Sequence, residues 1–248
     1  YDGADRDGDN SCSQFALLAL WEARRCLTDA ERRHYRIAQV VRAAESSWMR
    51  RQTDDGGWNY TGRRGAQFPS SNSMTAAGLA SLYVCQDMLQ KTSGPWRSDR
   101  QKQRAWEYLG TNLSEDYPDR GYRAFCVQRV GMATGRKFIG EMDWYAVGAG
   151  EYAKPGTRRR GYHSRWSNLV GASFELIFLA RGRLPLTFNK LQHGDESDWN
   201  FHTRDLAHLT RALSLDLERR MRWQVVKISD NVREMLDTPI LLVAGRTT

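Results

Sequence analysis

The sequence of 248 residues lacks several features that would indicate a specific function. It has only four cysteines, and Cys12, Cys26, Cys85 and Cys126 form no CxxC pair, which argues against a zinc site and against a disulfide framework. We therefore expect free thiols that pack as small apolar side chains. No run approaches the roughly 18 apolar residues of a membrane span. The sequence contains no cofactor-binding motif, so we expect no cofactor.

A targeting signal is also missing, because the first residues do not form a signal peptide. The chain begins at Tyr1 without a methionine and ends at Thr248, directly after a strand-like run. We therefore expect this chain to be a piece of a longer protein. Under that expectation, the missing signal predicts nothing about the location of the parent protein.

The composition is typical of a soluble globular protein with many large aromatic side chains. Hydrophobic residues make up 40% of the chain and charged residues 27%. The nine tryptophans indicate packing that depends on large rings. A formal net charge of +8 allows an anionic partner. The arginines are scattered between apolar positions, however, which favours solvated outer helix faces and gives no specific nucleic-acid signal.

Strongly apolar helices alternate along the chain with partner helices that carry more polar residues. The apolar helices, which we expect to form a buried inner layer, are Ser13–Leu27, Ser73–Leu89, Tyr122–Gly135 and Asn168–Gly182. The partner helices between them are Arg32–Gln52, Ser98–Leu113 and Glu141–Lys154. Alternation with a period of roughly 50 residues indicates an array of helical hairpins.

The segment WMRRQTDDGGWNY joins the first partner helix to the next apolar helix. Gly56 and Gly57 permit the left-handed backbone that ends a helix. We expect Trp58 to stack on the preceding helix, near Trp48, and to be substantially buried. The amide of Gln52 is expected to bond exposed backbone at the turn. These five residues therefore have structural tasks that require no substrate.

The same segment contains two adjacent carboxylates, Asp54 and Asp55. They have two interpretations, as catalytic acids or as turn residues near a helix N-terminus, where negative charge is favoured. Because every other residue of the segment has a structural task, we interpret the pair as part of the turn.

The spacing W-x3-Q-x3-G-G-W from Trp48 to Trp58 resembles the QW-type repeat of squalene cyclases and the related repeats of protein prenyltransferase β subunits. SCSQFALLALWEA and SNSMTAAGLASL look like the inner helices that follow such turns. The later segment EYAKPGTRRRGYHSRW is a degenerate turn that keeps an aromatic residue and Trp166. The resemblance implies a mainly α fold, with a partial (α/α) toroid of helical hairpins over residues 1–191. It does not imply a particular reaction.

The catalytic residues of those families are not found in this chain. Alkene cyclisation in squalene cyclases needs a DxDD acid, which is absent. Prenyl transfer needs a zinc set of Asp, Cys and His, and none of the five histidines follows a cysteine at that family's spacing. The Cys-Gly-Glu-Gln thioester of α2-macroglobulin-type toroids is absent as well.

The N-terminal stretch DGADRDGDN carries alternate acids at Asp5, Asp7 and Asp9. Alternate carboxylates can supply the oxygen ligands that calcium prefers. The ordered pattern D-x-[DN]-x-[DN]-G-x5-E is missing, so we interpret the stretch as a solvated acidic loop before a helix and expect no metal site.

The chain changes character after Leu191. The segment Arg181–Trp199 contains proline, glycine and a polar cluster, and predicts a linker. NFHTRDLAHLTRALSLDLERRM then predicts a helix capped by Thr203. The strand-like runs WQVVKIS and TPILLVAGR, with the short helix NVREMLD between them, predict a parallel sheet. Residues 192–248 are thus expected to form a linker and the start of an α/β domain, similar to an uncharacterised bacterial domain that follows such toroids.

The residues His202, Arg204 and Asp205 form a compact cluster near the start of that helix. In one hypothesis the free N–H groups of the helix N-terminus, with Arg204 and His202, bind a phosphate or a carboxylate. In the alternative, which we favour, Thr203 caps the helix, Asp205 complements its dipole and Arg204 pairs with a nearby acid.

Two classes of function remain open. The favoured class is a binding or scaffold role in a multidomain bacterial protein, with a hydrophobic or an anionic ligand. The other class is an isoprenoid- or glycan-processing enzyme whose catalytic residues lie partly outside this chain. Asp143 and Glu175 are the carboxylates we consider for such an enzyme, although each also suits a cap or an ordinary polar helix position. Neither class distinguishes the bacterial cytoplasm from the cell envelope.

Overall fold

The protein is mainly helical and contains a small parallel sheet of three strands. The computed structural model describes residues 9–62, 69–89, 100–113, 117, 121–154, 165–194 and 196–245. The chain divides into two compact units, which are Tyr1–Lys91 with Asp99–Asp116 (unit 1) and Thr92–Ser98 with Tyr117–Thr248 (unit 2). Among the described residues, no helix has the length and apolar character needed to cross a membrane.

Unit 1 is built from helices that pack around one central helix, α4. The helices of its described part are α1 (Asn10–Ala23), α2 (Asp29–His34), α3 (Ile37–Arg51), α4 (Asn72–Met88) and α5 (Arg100–Asn112). Helices α1, α3 and α5 all pack against α4, which is buried along most of its length. The expectation that the apolar helix Ser73–Leu89 is buried is confirmed.

The region expected to be one helix from Arg32 to Gln52 contains two helices, so that expectation is wrong. Thr28 and Glu31 form a capping box that starts the short helix α2. Arg36 then has a left-handed backbone, with φ of 49°, and this conformation ends α2 and lets α3 begin at Ile37. The spacing of apolar residues, which predicts a single helix, did not reveal this break.

Helix α1 is shorter and more exposed than its apolar sequence predicts. It ends at Ala23 and is followed by a 3-10 turn over Arg24–Cys26. Leu17 packs into the core that α1 shares with α3 and α4, whereas Phe15 on another face is 40% exposed. The expected burial is therefore wrong for the face of α1 that carries Phe15, because α4 packs against the face that carries Leu17.

The cysteines are free, as expected, but only half of them are buried. Cys85 and Cys126 are buried, in α4 and in the first helix of unit 2. Cys12 and Cys26 are exposed. The expectation of packed thiols is therefore wrong for these two, since both lie on the uncovered part of α1 and its 3-10 turn.

Unit 2 combines helices with two small sheets. Its described elements are α6 (Gly121–Thr134), β1 (Phe138–Ile139), β2 (Met142–Asp143), α7 (Trp144–Ala153), α8 (Arg165–Ala180), β3 (Leu186–Gln192), α9 (Glu196–Trp199), α10 (Asp205–Asp216), β4 (Arg222–Lys227), α11 (Val232–Met235) and β5 (Ile240–Leu242). Strands β1 and β2 pair antiparallel. Strand β2 lies at the beginning of the predicted helix Glu141–Lys154, so the helix there, α7, begins only at Trp144.

The three-stranded sheet is parallel and has the order β4-β3-β5. The predicted parallel sheet is confirmed, but the predicted linker Arg181–Trp199 is wrong because it contains the central strand. The predicted domain boundary between Leu191 and Gln192 falls inside β3. Strand β3 tolerates the buried polar residue Asn189, because its Nδ2 donates to the carbonyls of Glu234 and Met235 at 3.0 and 2.9 Å.

The helices of unit 2 differ in burial. Helix α6 packs on α8 and α7, and its central residues are buried as expected. Helix α8 buries Phe178 completely, but Leu169 is 59% exposed and Leu176 is 69% exposed. The expected burial of α8 is therefore wrong for this face. Of the degenerate segment Glu151–Trp166, residues 155–164 and the side chain of Trp166 lie outside the described residues.

Candidate functional site

The predicted joint between α3 and α4 forms as a packed unit around Trp58. This side chain has no exposed surface, and its Nε1 donates to the carbonyl of Trp48 at 2.9 Å. The rings of Trp58 and Trp48 meet edge to face, with centroids 6.1 Å apart. A Cβ at Gly78 of α4 would lie 2.6 Å from the Trp58 ring. The indole therefore fills the space between α3 and α4.

Gln52 and the two glycines complete this joint. The Gln52 amide donates to the carbonyl of Gly56 at 2.8 Å and to the carbonyl of Gln101 at 2.7 Å. Gly56 has φ of 90°, and a Cβ there would lie 2.7 Å from the carbonyl oxygen of Arg104. Gly57 is equally enclosed, with Ser70 beside it. The joint thus ties α3, α4 and α5 together.

The two carboxylates of the joint have different environments. Asp55 accepts hydrogen bonds from Thr53 Oγ1 at 2.6 Å, Gly57 N at 2.9 Å and Ser70 Oγ at 2.8 Å. Asp54 is exposed. Burial acts to raise the pKa of Asp55, but these hydrogen bonds outweigh burial and lower the pKa below its ordinary value of 3.8. Asp55 is therefore held ionised, which suits a turn residue better than a proton donor.

Replacing Asp55 by asparagine should weaken the joint and reduce its sensitivity to acid. Because the folded-state pKa is lowered, ionised Asp55 contributes stability above pH 3.8, and this contribution is lost as the pH falls through the folded-state pKa. We expect Asp55→Asn to cost roughly 1 kcal/mol at pH 7 and to show a smaller fall in melting temperature between pH 5 and pH 2. Thermal denaturation across this range measures both effects.

The matched control is Asp54→Asn, which changes the neighbouring exposed carboxylate. Its melting curves should follow those of the unmodified chain at every pH. Equal effects of the two substitutions would contradict the assigned role of Asp55.

The predicted cluster of His202, Arg204 and Asp205 lies at the start of α10, but two of its members bind other parts of unit 2. Asp205 forms an ion pair with Lys190 of β3, with Nζ–O distances of 2.8 and 2.9 Å. Arg204 donates to the carbonyl of Ala133 at 2.6 Å. The carboxylate of Asp205 therefore already occupies the positive end of the helix.

Thr203 does not cap this helix, so that prediction is wrong. Helix α10 begins at Asp205, Arg204 is at the cap position, and no side chain caps the helix. The backbone N–H of Leu206 instead binds the Asp205 carboxylate at 2.6 Å. Asp205 is drawn to this position by Lys190, and the hydroxyl of buried Thr203 has no hydrogen-bond partner among the described residues.

Lys190 is the polar centre of this region, and sequence analysis did not identify it. Its side chain is 1% exposed. Besides Asp205, its Nζ donates to Asn200 Oδ1 at 3.2 Å and to the carbonyl of His202 at 3.1 Å. All the donors of this ammonium group are satisfied within the fold, so the arrangement is a structural brace between β3 and α10.

Asp143 and Glu175, the two carboxylates considered for an enzyme, contact different parts of unit 2. Asp143 caps α7 by accepting from the backbone N–H groups of Tyr145 and Ala146, and it lies 3.9 Å from Lys137 Nζ. Glu175 packs beside Gly121, at the start of α6. Asp143 therefore has the alternative role considered for it, as a helix cap.

The acidic N-terminal stretch lies mostly outside the described residues, which exclude Asp5 and Asp7. Asp9 is the N-cap of α1, and its carboxylate accepts from the backbone of Ser11 and Cys12 at 2.7 and 3.2 Å. In the part of the chain that the structure describes, no group of acidic, histidine or cysteine side chains has the arrangement of a metal site.

A group of arginines in unit 2 was also missed. Arg181, just after α8, lies over the ring of Trp144 at 5.1 Å from its centroid, and Arg222 of β4 lies 5.8 Å from the ring centroid of Tyr145. Burial, reinforced by the charges of Arg222 and Arg129, lowers the pKa of Arg181 to about 9. The three arginines and two aromatic residues form what we call the arginine cluster. They are far apart in sequence, so no local motif revealed it.

Comparisons of this chain with protein-family models, curated proteins and solved structures found no match.

Proposed function

We propose that the chain is a binding or scaffold module in which helical hairpins form an arc of an (α/α) toroid, followed by an α/β domain. The observation that carries this proposal is the joint. Trp58 and Gln52 are buried, and the side-chain N–H groups of both donate to backbone carbonyls of the joint and its neighbouring helices. The residues that resemble the toroid repeat therefore support packing between hairpins.

The helical packing of each unit supports the toroid. In unit 1 the apolar helix α4 is enclosed by α1, α3 and α5, and in unit 2 the apolar helix α6 packs against α7 and α8. A buried helix flanked by partner helices is what a two-layered helical array requires.

The ionised state of Asp55 and the capping role of Asp143 favour a binding function over catalysis. The hydrogen bonds on Asp55 lower its pKa, and Asp143 caps α7. A general acid that protonates a substrate must instead hold a proton near the working pH. We therefore propose a ligand that is held, through an apolar or an anionic group, and released unchanged.

The test uses farnesyl diphosphate, which has both an apolar chain and an anionic head, and the neutral hydrocarbon squalene. We expect saturable quenching of tryptophan fluorescence by at least one of them and no product after prolonged incubation. Asp55→Asn, assayed below its melting temperature, should bind like the unmodified chain. Product formation that exceeds a protein-free control would contradict the proposal, and so would the absence of binding by both compounds.

A further inference from the structure

The guanidinium of Arg181 is buried and has no hydrogen-bond acceptor among the residues that the structure describes. The residue is only 8% exposed, and no atom of the described ranges forms a hydrogen bond with its Nε. Its guanidinium lies over the Trp144 ring, and the neighbouring charges of Arg222 and Arg129 act against its own charge. A buried charge costs free energy unless it is paired and hydrogen-bonded. A partner that the fold does not supply would therefore recover part of that cost.

Arg222 adds a second set of donors beside Tyr145. Its Nε donates to the carbonyl of Leu184 at 2.8 Å, which fixes the plane of the guanidinium. None of the described residues accepts from its two Nη atoms. An arginine held by Nε in this way presents the paired Nη donors that recognise carboxylate and phosphate.

Arg129 contributes positive charge from α6 and is held in place by a chain of hydrogen bonds. Its Nη2 donates to Gln128 Oε1 at 2.9 Å, and Gln128 Nε2 donates to the carbonyls of Ile177 and Phe178 at 3.3 and 3.0 Å. The carbonyls of α8 hold Gln128, and Gln128 holds Arg129. Arg129 is therefore positioned relative to the end of α8, which Arg181 directly follows. The cluster is therefore preorganised by the backbone of α8.

The two acids that act electrostatically on Arg222 are engaged by another cation, Lys137. Asp143 and Asp237 act on Arg222 electrostatically, but both lie beside Lys137, with Nζ–O distances of 3.9 and 3.0 Å. Neither forms an ion pair with Arg181 or Arg222 within the described residues. Among the described residues, Arg181 and Arg222 thus keep an excess of positive charge.

We propose that Arg181 and Arg222 bind an oxyanion group of a small molecule, a carboxylate or a phosphate or sulfate, beside Trp144 and Tyr145. The forked Nη donors supply the hydrogen bonds, and Arg129 adds to the attraction. Arg222 and Tyr145 are only half-buried, so the cluster reaches the surface of unit 2. This inference rests on the proposed binding function and names the class of ligand.

The experiment measures the melting temperature of the full chain in chloride, phosphate, sulfate and acetate at matched ionic strength. We expect a saturable rise over chloride of about 3–6 °C at roughly ten times the dissociation constant. Arg181→Met should abolish this rise. In chloride, Arg181→Met should melt at the same temperature as the unmodified chain or higher, because an apolar side chain replaces an unpaired buried charge.

Two further variants make the result specific. Arg211→Met removes an exposed arginine of α10 in the same unit and should keep the full response to anions. Arg181→Lys keeps the charge without the planar fork, and should weaken the affinity about tenfold or more. If Arg181→Met does not fold, the loss of affinity in Arg181→Lys supports the proposal.

The outcomes separate this inference from the proposed function. A response to acetate alone assigns a carboxylate, and a response to phosphate or sulfate assigns a tetrahedral anion. No saturable response by the unmodified chain overturns the oxyanion site, even if farnesyl diphosphate binds. An undiminished response in both Arg181 variants also overturns it. A response to anions without binding of farnesyl diphosphate or squalene keeps the oxyanion site and overturns the broader proposal as tested.

Discussion

Replacing Trp58 by alanine is expected to lower the free energy of unfolding of unit 1 by about 3 kcal/mol or more. The side chain is fully buried, and its loss removes the edge-to-face contact with Trp48 and the hydrogen bond to the Trp48 carbonyl. The tightly packed neighbour Gly78 has no side chain that could fill the cavity. Urea denaturation followed by circular dichroism measures the effect.

Two control variants separate the parts of this effect. Trp58→Phe keeps an aromatic ring but loses the indole N–H, so it should cost less than Trp58→Ala. Tyr60→Ala removes a nearby ring that is 46% exposed and should have a small effect. A Trp58→Ala protein that is as stable as the unmodified chain but has lost ligand binding would contradict the structural role of the joint.

The joint could be predicted from sequence because its determinants are local. Gly56 needs a left-handed backbone, and Gln52 reaches a carbonyl only four residues away. The second acceptor of Gln52, the carbonyl of Gln101, lies in α5 and could not be predicted. Local motifs thus determined where the turn lies, and tertiary packing determined which helices it joins.

Burial of the apolar helices was predictable only where neighbours exist on several sides. α4 has three helical neighbours and is buried as expected. α1 and α8 have similar apolar sequences, but Phe15 and Leu176 remain exposed. Apolar content indicates which surfaces would gain from burial, and it does not indicate whether a neighbour covers them.

The central strand β3 was missed because its polar residues resemble those of a loop. Asn189 and Lys190 are stable in the middle of the sheet only because their partners come from α11 and α10, later in the chain. The arginine cluster was missed for a similar reason. Arg181 and Arg222 resemble ordinary surface arginines until the fold places each one over an aromatic ring.

Breaking the buried pair of Lys190 and Asp205 should have the second large effect on stability. Asp205→Ala leaves the ammonium of Lys190 buried without its carboxylate, and removing one partner of a buried ion pair costs about 3–5 kcal/mol. The remaining acceptors, Asn200 Oδ1 and the carbonyl of His202, are neutral and do not replace the lost charge. We expect a loss of this size in urea denaturation of unit 2.

Removing the lysine of this pair should lower the free energy of unfolding less than removing the aspartate, because the two side chains differ in exposure. Lys190→Met leaves Asp205 unpaired, but the side chain of Asp205 is 28% exposed, whereas that of Lys190 is 1% exposed. Water can therefore solvate the carboxylate that remains. The double variant Lys190→Met with Asp205→Ala removes both charges and should recover most of the stability lost in Asp205→Ala. Additive losses in the double variant would show that the pair does not act as a unit, and that Lys190 is held in the sheet by its neutral acceptors.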